Sequence, residues 1–210
     1  MSPAPENSAS KSVLLAATAG EIWADLLEGN KRFQAGKPAP RDLVGRREEL
    51  AGAQHPQVIV LACSDSRVSP SLIFDKNLGD LFVICTAGNV ADSVALGSIE
   101  FAAEYLQSRL LVILGHEGCG AVAAAASGEK IPTSNLESIV ARVRPAIESV
   151  KRQSAGDDLL RLAEQANVRQ CAGDLLRNSP LLRQKIEAGR LTLIKAVYQM
   201  STGEVIRLPE

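Results

Sequence analysis

Three uninterrupted apolar runs stand out from a chain whose apolar residues otherwise recur every three or four positions. They are Val58-Ile-Val-Leu-Ala62, Leu81-Phe-Val-Ile84 and Leu110-Leu-Val-Ile-Leu114. Each has strand length and no polar face, which suits strands covered on both sides, as in a parallel sheet. Ahead of them, Ile22, Leu26, Leu27 and Phe33 predict a helix over 20–36, stopped by Gly36-Lys-Pro38, and a shorter helix covers 41–52. Val94, Ile99, Phe101, Ala102 and Leu106 predict a helix over 92–107, between the second and third runs. Strands alternating with helices argue for right-handed crossovers in an α/β fold. Helical spacing continues over 135–151 and 157–178, and a short helix runs from Ser179-Pro180 to Gly189. Leu191–Tyr198 then reads as a strand, and Ser201-Thr-Gly-Glu204 as a hairpin turn into Val205–Leu208. The expected fold is a central parallel sheet of about four strands with an added antiparallel C-terminal strand, helices on both faces and an N-terminal helical arm. Residues 1–18, rich in Ser, Ala and Pro, read as loosely ordered, and 19–210 as a single domain without repeat or linker.

Composition narrows the function. Among 210 residues the net charge is −1, which offers no electrostatic grip on nucleic acid or on an anionic membrane. No apolar run approaches the roughly 18 residues of a membrane span. Val13–Gly20 follows Lys11 but is short, and acidic Glu6 precedes it. It reads as an arm or packing helix rather than a secretory remnant. Four cysteines, at 63, 85, 119 and 171, are not needed as staples in a chain this rich in aliphatics. Thiolate ligands in the cytoplasm are the better reading, with the periplasm as the alternative if residues 1–20 are a signal remnant.

Two short polar segments follow central apolar runs. Cys63-Ser-Asp-Ser-Arg67 comes after the first and His116-Glu-Gly-Cys119 after the third. In open α/β sheets ligands collect at the carboxyl ends of strands, and neighbouring strands lie about 5 Å apart. Both segments therefore converge on one point that holds two thiols, an imidazole and a carboxylate. Thiolate and imidazole are zinc ligands, and three of them leave a fourth position for water. A buried cysteine by itself is a small hydrophobe, and a closed structural zinc site takes four such ligands. Cys85, within a strand, and Cys171, within a helix, read as packing residues. Asp65 and Arg67 are spaced to pair, which keeps the carboxylate ionised; a structural ion pair beside the metal is the plainer alternative. Gly118-Cys-Gly120 before a helix resembles a phosphate loop only weakly, since no G-x-G-x-x-G or Walker pattern is present.

Cys63-Ser-Asp-Ser-Arg67 and Gly115-His-Glu-Gly-Cys119-Gly resemble the two signature motifs of the beta-class carbonic anhydrases, and the similarity extends over about 20–208 through Ala87-Gly-Asn89 and the Thr202-Gly-Glu hairpin. The resemblance implies Zn2+ on Cys63, His116 and Cys119. It implies reversible hydration of carbon dioxide to bicarbonate by zinc-bound hydroxide, oriented by an Asp65–Arg67 dyad. It also implies that Asp65 becomes a fourth metal ligand in an inactive state. Gln54 matches a substrate-binding amide, Phe82 and Phe101 match an apolar pocket formed partly across a dimer interface, and the Gly120 N–H matches a donor to substrate. A homodimer or dimer of dimers is implied. Val60 and Cys85 stand where bicarbonate-inhibited members carry Trp and Arg, so the open, water-bound form is expected here. His55, beside Gln54, is a candidate proton shuttle, although a solvated surface histidine is the favoured reading. Hydrolysis of carbon disulfide or carbonyl sulfide on the same site remains an alternative. So does a non-catalytic zinc-binding scaffold or sensor, which the intact dyad argues against.

Overall fold

A computed structural model describes residues 17–151 and 156–209. Along the chain run α1 (Ala19–Gln34), α2 (Leu43–Glu49), β1 (Val58–Cys63), α3 (Pro70–Ile73), β2 (Leu81–Thr86), a 3-10 turn (Ala87–Asn89), α4 (Ser93–Glu104), β3 (Leu110–His116), α5 (Gly120–Ser127), α6 (Ser134–Val150), α7 (Gly156–Asn178), α8 (Pro180–Glu187), β4 (Thr192–Tyr198) and β5 (Val205–Arg207). The sheet order is β2-β1-β3-β4-β5, with β5 antiparallel to β4 and every other pair parallel. This is the architecture expected from the apolar runs. The segment read as loosely ordered falls, through residue 16, outside the described residues.

Every residue of β1 and β3 is buried, as an unbroken apolar run requires. Successive side chains point to opposite faces. Val58, Val60, Ala62, Leu110, Val112 and Leu114 pack on one side with Ile22, Trp23 and Leu26 of α1 and with Ile73 and Phe74. Ile59, Leu61, Leu111 and Ile113 pack on the other with Ile99 of α4, Val168 and Leu175 of α7, and Leu182 of α8. Each such aliphatic side chain contributes roughly 1.5–3 kcal/mol on burial, so the two central strands are the most firmly held part of the molecule.

The expected elements differ in detail for local reasons. The helix expected over 92–107 begins at Ser93 because the Asp92 carboxylate accepts from the N–H groups of Val94 and Ala95, and it ends at Glu104. α3 has four residues, too few to show a period. α1 starts in a capping box between Thr18 and Glu21. Near its other end the buried Asn30 donates to the carbonyls of Ile73 and Gly203, at 3.1 and 2.8 Å, and accepts from the Val205 N–H at 3.0 Å. One amide thus locks the N-terminal helix to the β4–β5 hairpin.

Two features of the sheet place the chemistry. β2 lies on one side of β1 and β3 on the other, so the connections diverge at the carboxyl ends of β1 and β3, where α/β sheets open a crevice. The strands also outrun their apolar cores. Cys63 closes β1 opposite Thr86, and His116 closes β3 opposite Tyr198. Both residues are therefore fixed by the ladder rather than carried on a loose loop.

Candidate metal centre

Past His116 the chain turns through Gly118, whose φ of 67° is the left-handed conformation that glycine adopts without cost. The turn returns Cys119 to the N-terminus of α5. The sulfurs of Cys63 and Cys119 and a ring nitrogen of His116 come within 4.8 Å of one another, and all three residues are buried. His116 Nδ1 lies 2.9 Å from the Glu117 carbonyl oxygen. A carbonyl only accepts, so Nδ1 carries the hydrogen and Nε2 keeps its lone pair. That Nε2 is buried without a hydrogen-bond partner, a costly arrangement unless something else binds it. The backbone-anchored imidazole and two thiols are the donor set of a zinc site with one open position.

The surroundings favour thiolate. The two neighbouring sulfurs couple, which holds Cys63 below the ordinary thiol range and pushes Cys119 above it. The two sulfurs share a proton that a cation would displace. The Gly88 N–H donates to Cys63 Sγ at 3.3 Å, and the Cys119 N–H donates to Glu164 Oε1 at 3.1 Å. Sequence reasoning missed Glu164, because on α7 it looked like one more polar residue of an amphipathic helix. In the fold it is 6% exposed, and burial pushes its carboxyl up.

Asp65 stands with Arg67. Arg67 donates from Nε and from its backbone N–H to Oδ1, both at 2.9 Å, and from Nη2 to Oδ2 at 2.8 Å. These bonds hold the Asp65 carboxyl well below the usual carboxylate range. Arg67 Nη2 also reaches the Gly118 carbonyl at 3.5 Å, tying the pair to the turn between His116 and Cys119. The resemblance gives Asp65 two places, beside Arg67 in the open form and on the metal in an inactive state. Here it lies on the guanidinium, the arrangement expected of the open form, and the converging cluster consists of Cys63, His116 and Cys119.

The remaining expected residues divide. Gly120 opens α5 directly after Cys119, with open space where a Cβ would stand. Its N–H is one of the first four of a helix, which have no partner within it. Gln54 and His55 lie exposed before β1, and Phe82 sits opposite Ile59 near the start of β2. Phe82 contacts Phe101 of α4 at a ring-centroid distance of 6.3 Å. Roughly 17 Å of strand separates that edge of the sheet from the sulfurs, so one chain does not bring Gln54, Phe82 or Phe101 to the cluster. Cys171 packs in the core as expected. Cys85, also expected to pack, is exposed, because β2 is an edge strand. Among the described residues no helix is long and apolar enough to cross a membrane.

Comparison with known proteins agrees with this geometry. The family model described as carbonic anhydrase matches residues 58–205. "Carbonic anhydrase 2" of Mycobacterium tuberculosis (strain ATCC 25618 / H37Rv) is 39% identical over 190 residues, covering 88% of this chain and 90% of that protein. A carbonic anhydrase of Mycolicibacterium smegmatis is 38% identical over 187 residues, covering 87% and 90%. The solved beta-carbonic anhydrase CcaA superposes with a TM-score of 0.70 at 28% identity, over 89% of this chain and 95% of that one.

Proposed function

The chain belongs to the beta class of the carbonic anhydrase family, an enzyme family that interconverts carbon dioxide and bicarbonate, and from that premise we propose how its residues divide the work. Cys63, His116 and Cys119 hold the zinc ion. The observation that carries this is the convergence of the three buried ligand atoms around an unpartnered His116 Nε2. A zinc ion bound there supplies the Lewis acid that makes water nucleophilic near neutral pH.

The other residues position and protect. Asp65, kept ionised by Arg67, accepts a hydrogen from the attacking oxygen and aims its lone pair at the carbon. Arg67 fixes the carboxylate through two parallel bonds, a geometry that a lysine does not reproduce. With both its oxygens engaged, Asp65 leaves the metal's fourth position to water, which supports the open form as the resting state. The Gly120 N–H and the Gln54 amide donate to the oxygens on which charge develops. Gln54, Phe82 and Phe101 enter the site from a second copy of the chain, in a homodimer or a dimer of dimers. Val94 and Tyr105, each 75% exposed, and Phe101, 46% exposed, form the apolar face of α4 that such a copy covers. Thiolate ligands in a chain whose aliphatic core needs no disulfide staples support a reducing compartment, the cytoplasm.

Stopped-flow hydration of carbon dioxide, with the metal content of the same sample, tests the reading. Fast hydration with about one zinc per chain supports it. Full zinc without hydration, accompanied by hydrolysis of carbon disulfide or carbonyl sulfide, reassigns the substrate.

A further inference from the structure

Helix α7 sends three polar side chains, about one turn apart, onto the backbone around the metal ligands. Glu164 takes the Cys119 N–H. Asn167 Nδ2 donates to the Gly88 carbonyl at 2.8 Å, and the Cys171 thiol donates to the Asn89 carbonyl at 3.2 Å. Burial pushes Cys171 up to about 12, so it keeps its proton and remains a donor. The segment these groups hold is unusual. Gly88 and Asn89 are both left-handed, with φ of 70° and 46°. Asparagine is one of the few residues besides glycine that readily adopts this region, so the sequence of the turn suits its shape. Packing adds a constraint, since a Cβ on Gly88 would meet the Ala121 Cβ at 2.9 Å. Asn167 is 3% exposed and Asn89 2%, so neither has water as an alternative partner. What the held turn achieves is to aim the Gly88 N–H at Cys63 Sγ.

An N–H bonded to a metal thiolate withdraws electron density from the sulfur, and groups outside the ligand shell tune a metal in this way. We propose that Asn167 is a positioning residue for the metal centre: by holding the 87–89 turn it sets the Gly88 N–H on Cys63 and so limits how much charge that thiolate gives the metal. The inference rests on Cys63 being a metal ligand. It gives the α7 asparagine a role in the chemistry beyond the fold.

Cobalt(II)-substituted protein tests it, because sulfur-to-cobalt charge-transfer absorption reports the electron richness of the thiolates without any assay of turnover. In Asn167→Leu the band moves to longer wavelength, as a thiolate that gives the metal more charge requires. Asn167→Asp has the same shape without the donor, and it carries the comparison if the leucine variant does not fold. Variants that are less heat-stable but keep the band overturn the proposal, and so does failure of both to fold, which places Asn167 in the architecture alone. Wild-type protein that binds cobalt without the band overturns the metal reading, and this inference with it.

Discussion

Arg67 engages both carboxylate oxygens of Asp65 at once, through Nε and Nη2, so Asp65 turns toward the metal ligands only if the guanidinium lets go. Asp65→Ala and Arg67→Ala should each lower turnover about a hundredfold or more, the range for losing one preorganised group at a reacting centre. Zinc content should stay near one per chain, because neither residue belongs to the converging cluster. Near-native turnover in Asp65→Ala would remove the pair from the mechanism.

Cys119→Ser replaces a thiolate with a poor zinc ligand at the N-terminus of α5. The variant should lose zinc on dialysis against a chelator while its far-ultraviolet circular dichroism stays native. The two aliphatic clusters on either face of the sheet do not depend on the metal. Loss of secondary structure in the variant would show that the ion holds the fold together.

Phe101→Glu puts a charge on the apolar face of α4, against Phe82 and Tyr105. Sedimentation should then report a monomer, and hydration should fall although zinc is retained, since Gln54, Phe82 and Phe101 would no longer reach a neighbour's metal. A fully active monomer would mean that one chain completes its own site.

Asp75 tests the fold away from the chemistry. Its carboxylate is buried, a cost that hydrogen bonds from the Ala39 N–H, Arg32 and Arg41 outweigh, leaving its pKa lowered. Asp75→Ala should destabilise the protein by about 1–3 kcal/mol at neutral pH, because it removes the charge-assisted hydrogen bonds that tie Arg32, Arg41 and the Ala39 N–H together. A depressed folded pKa gives stability that is complete above the ordinary value of about 4 and lost as pH falls through the folded value. The gap between wild type and variant in urea unfolding should therefore narrow below about pH 4, and a gap independent of pH would contradict the assignment.

The strands and the metal ligands were legible because each rests on a local signal. An unbroken apolar run marks a strand buried on both faces, and a Cys or His just beyond it falls at the carboxyl edge. Strand order carries no such mark. Leu81–Ile84 reads like Val58–Ala62, yet β2 ends the sheet and Cys85 is exposed where packing was expected. The pairing of Asp65 with Arg67 was legible from their two-residue spacing, and the bonds from Nε and Nη2 realise it. The contributions of α7 were hidden for a different reason. Glu164 and Asn167 acquire their meaning from contacts 45 and 79 residues away, which no period along the chain encodes.

The open edge of β2 makes activity depend on concentration. If a second copy must lie against that edge to deliver Gln54 and the two phenylalanines, catalytic competence is set by mass action as well as by folding. Dilution below the dissociation constant of the pair would switch the protein off without unfolding it or releasing its metal. Specific activity would then rise with protein concentration, following the population of paired chains.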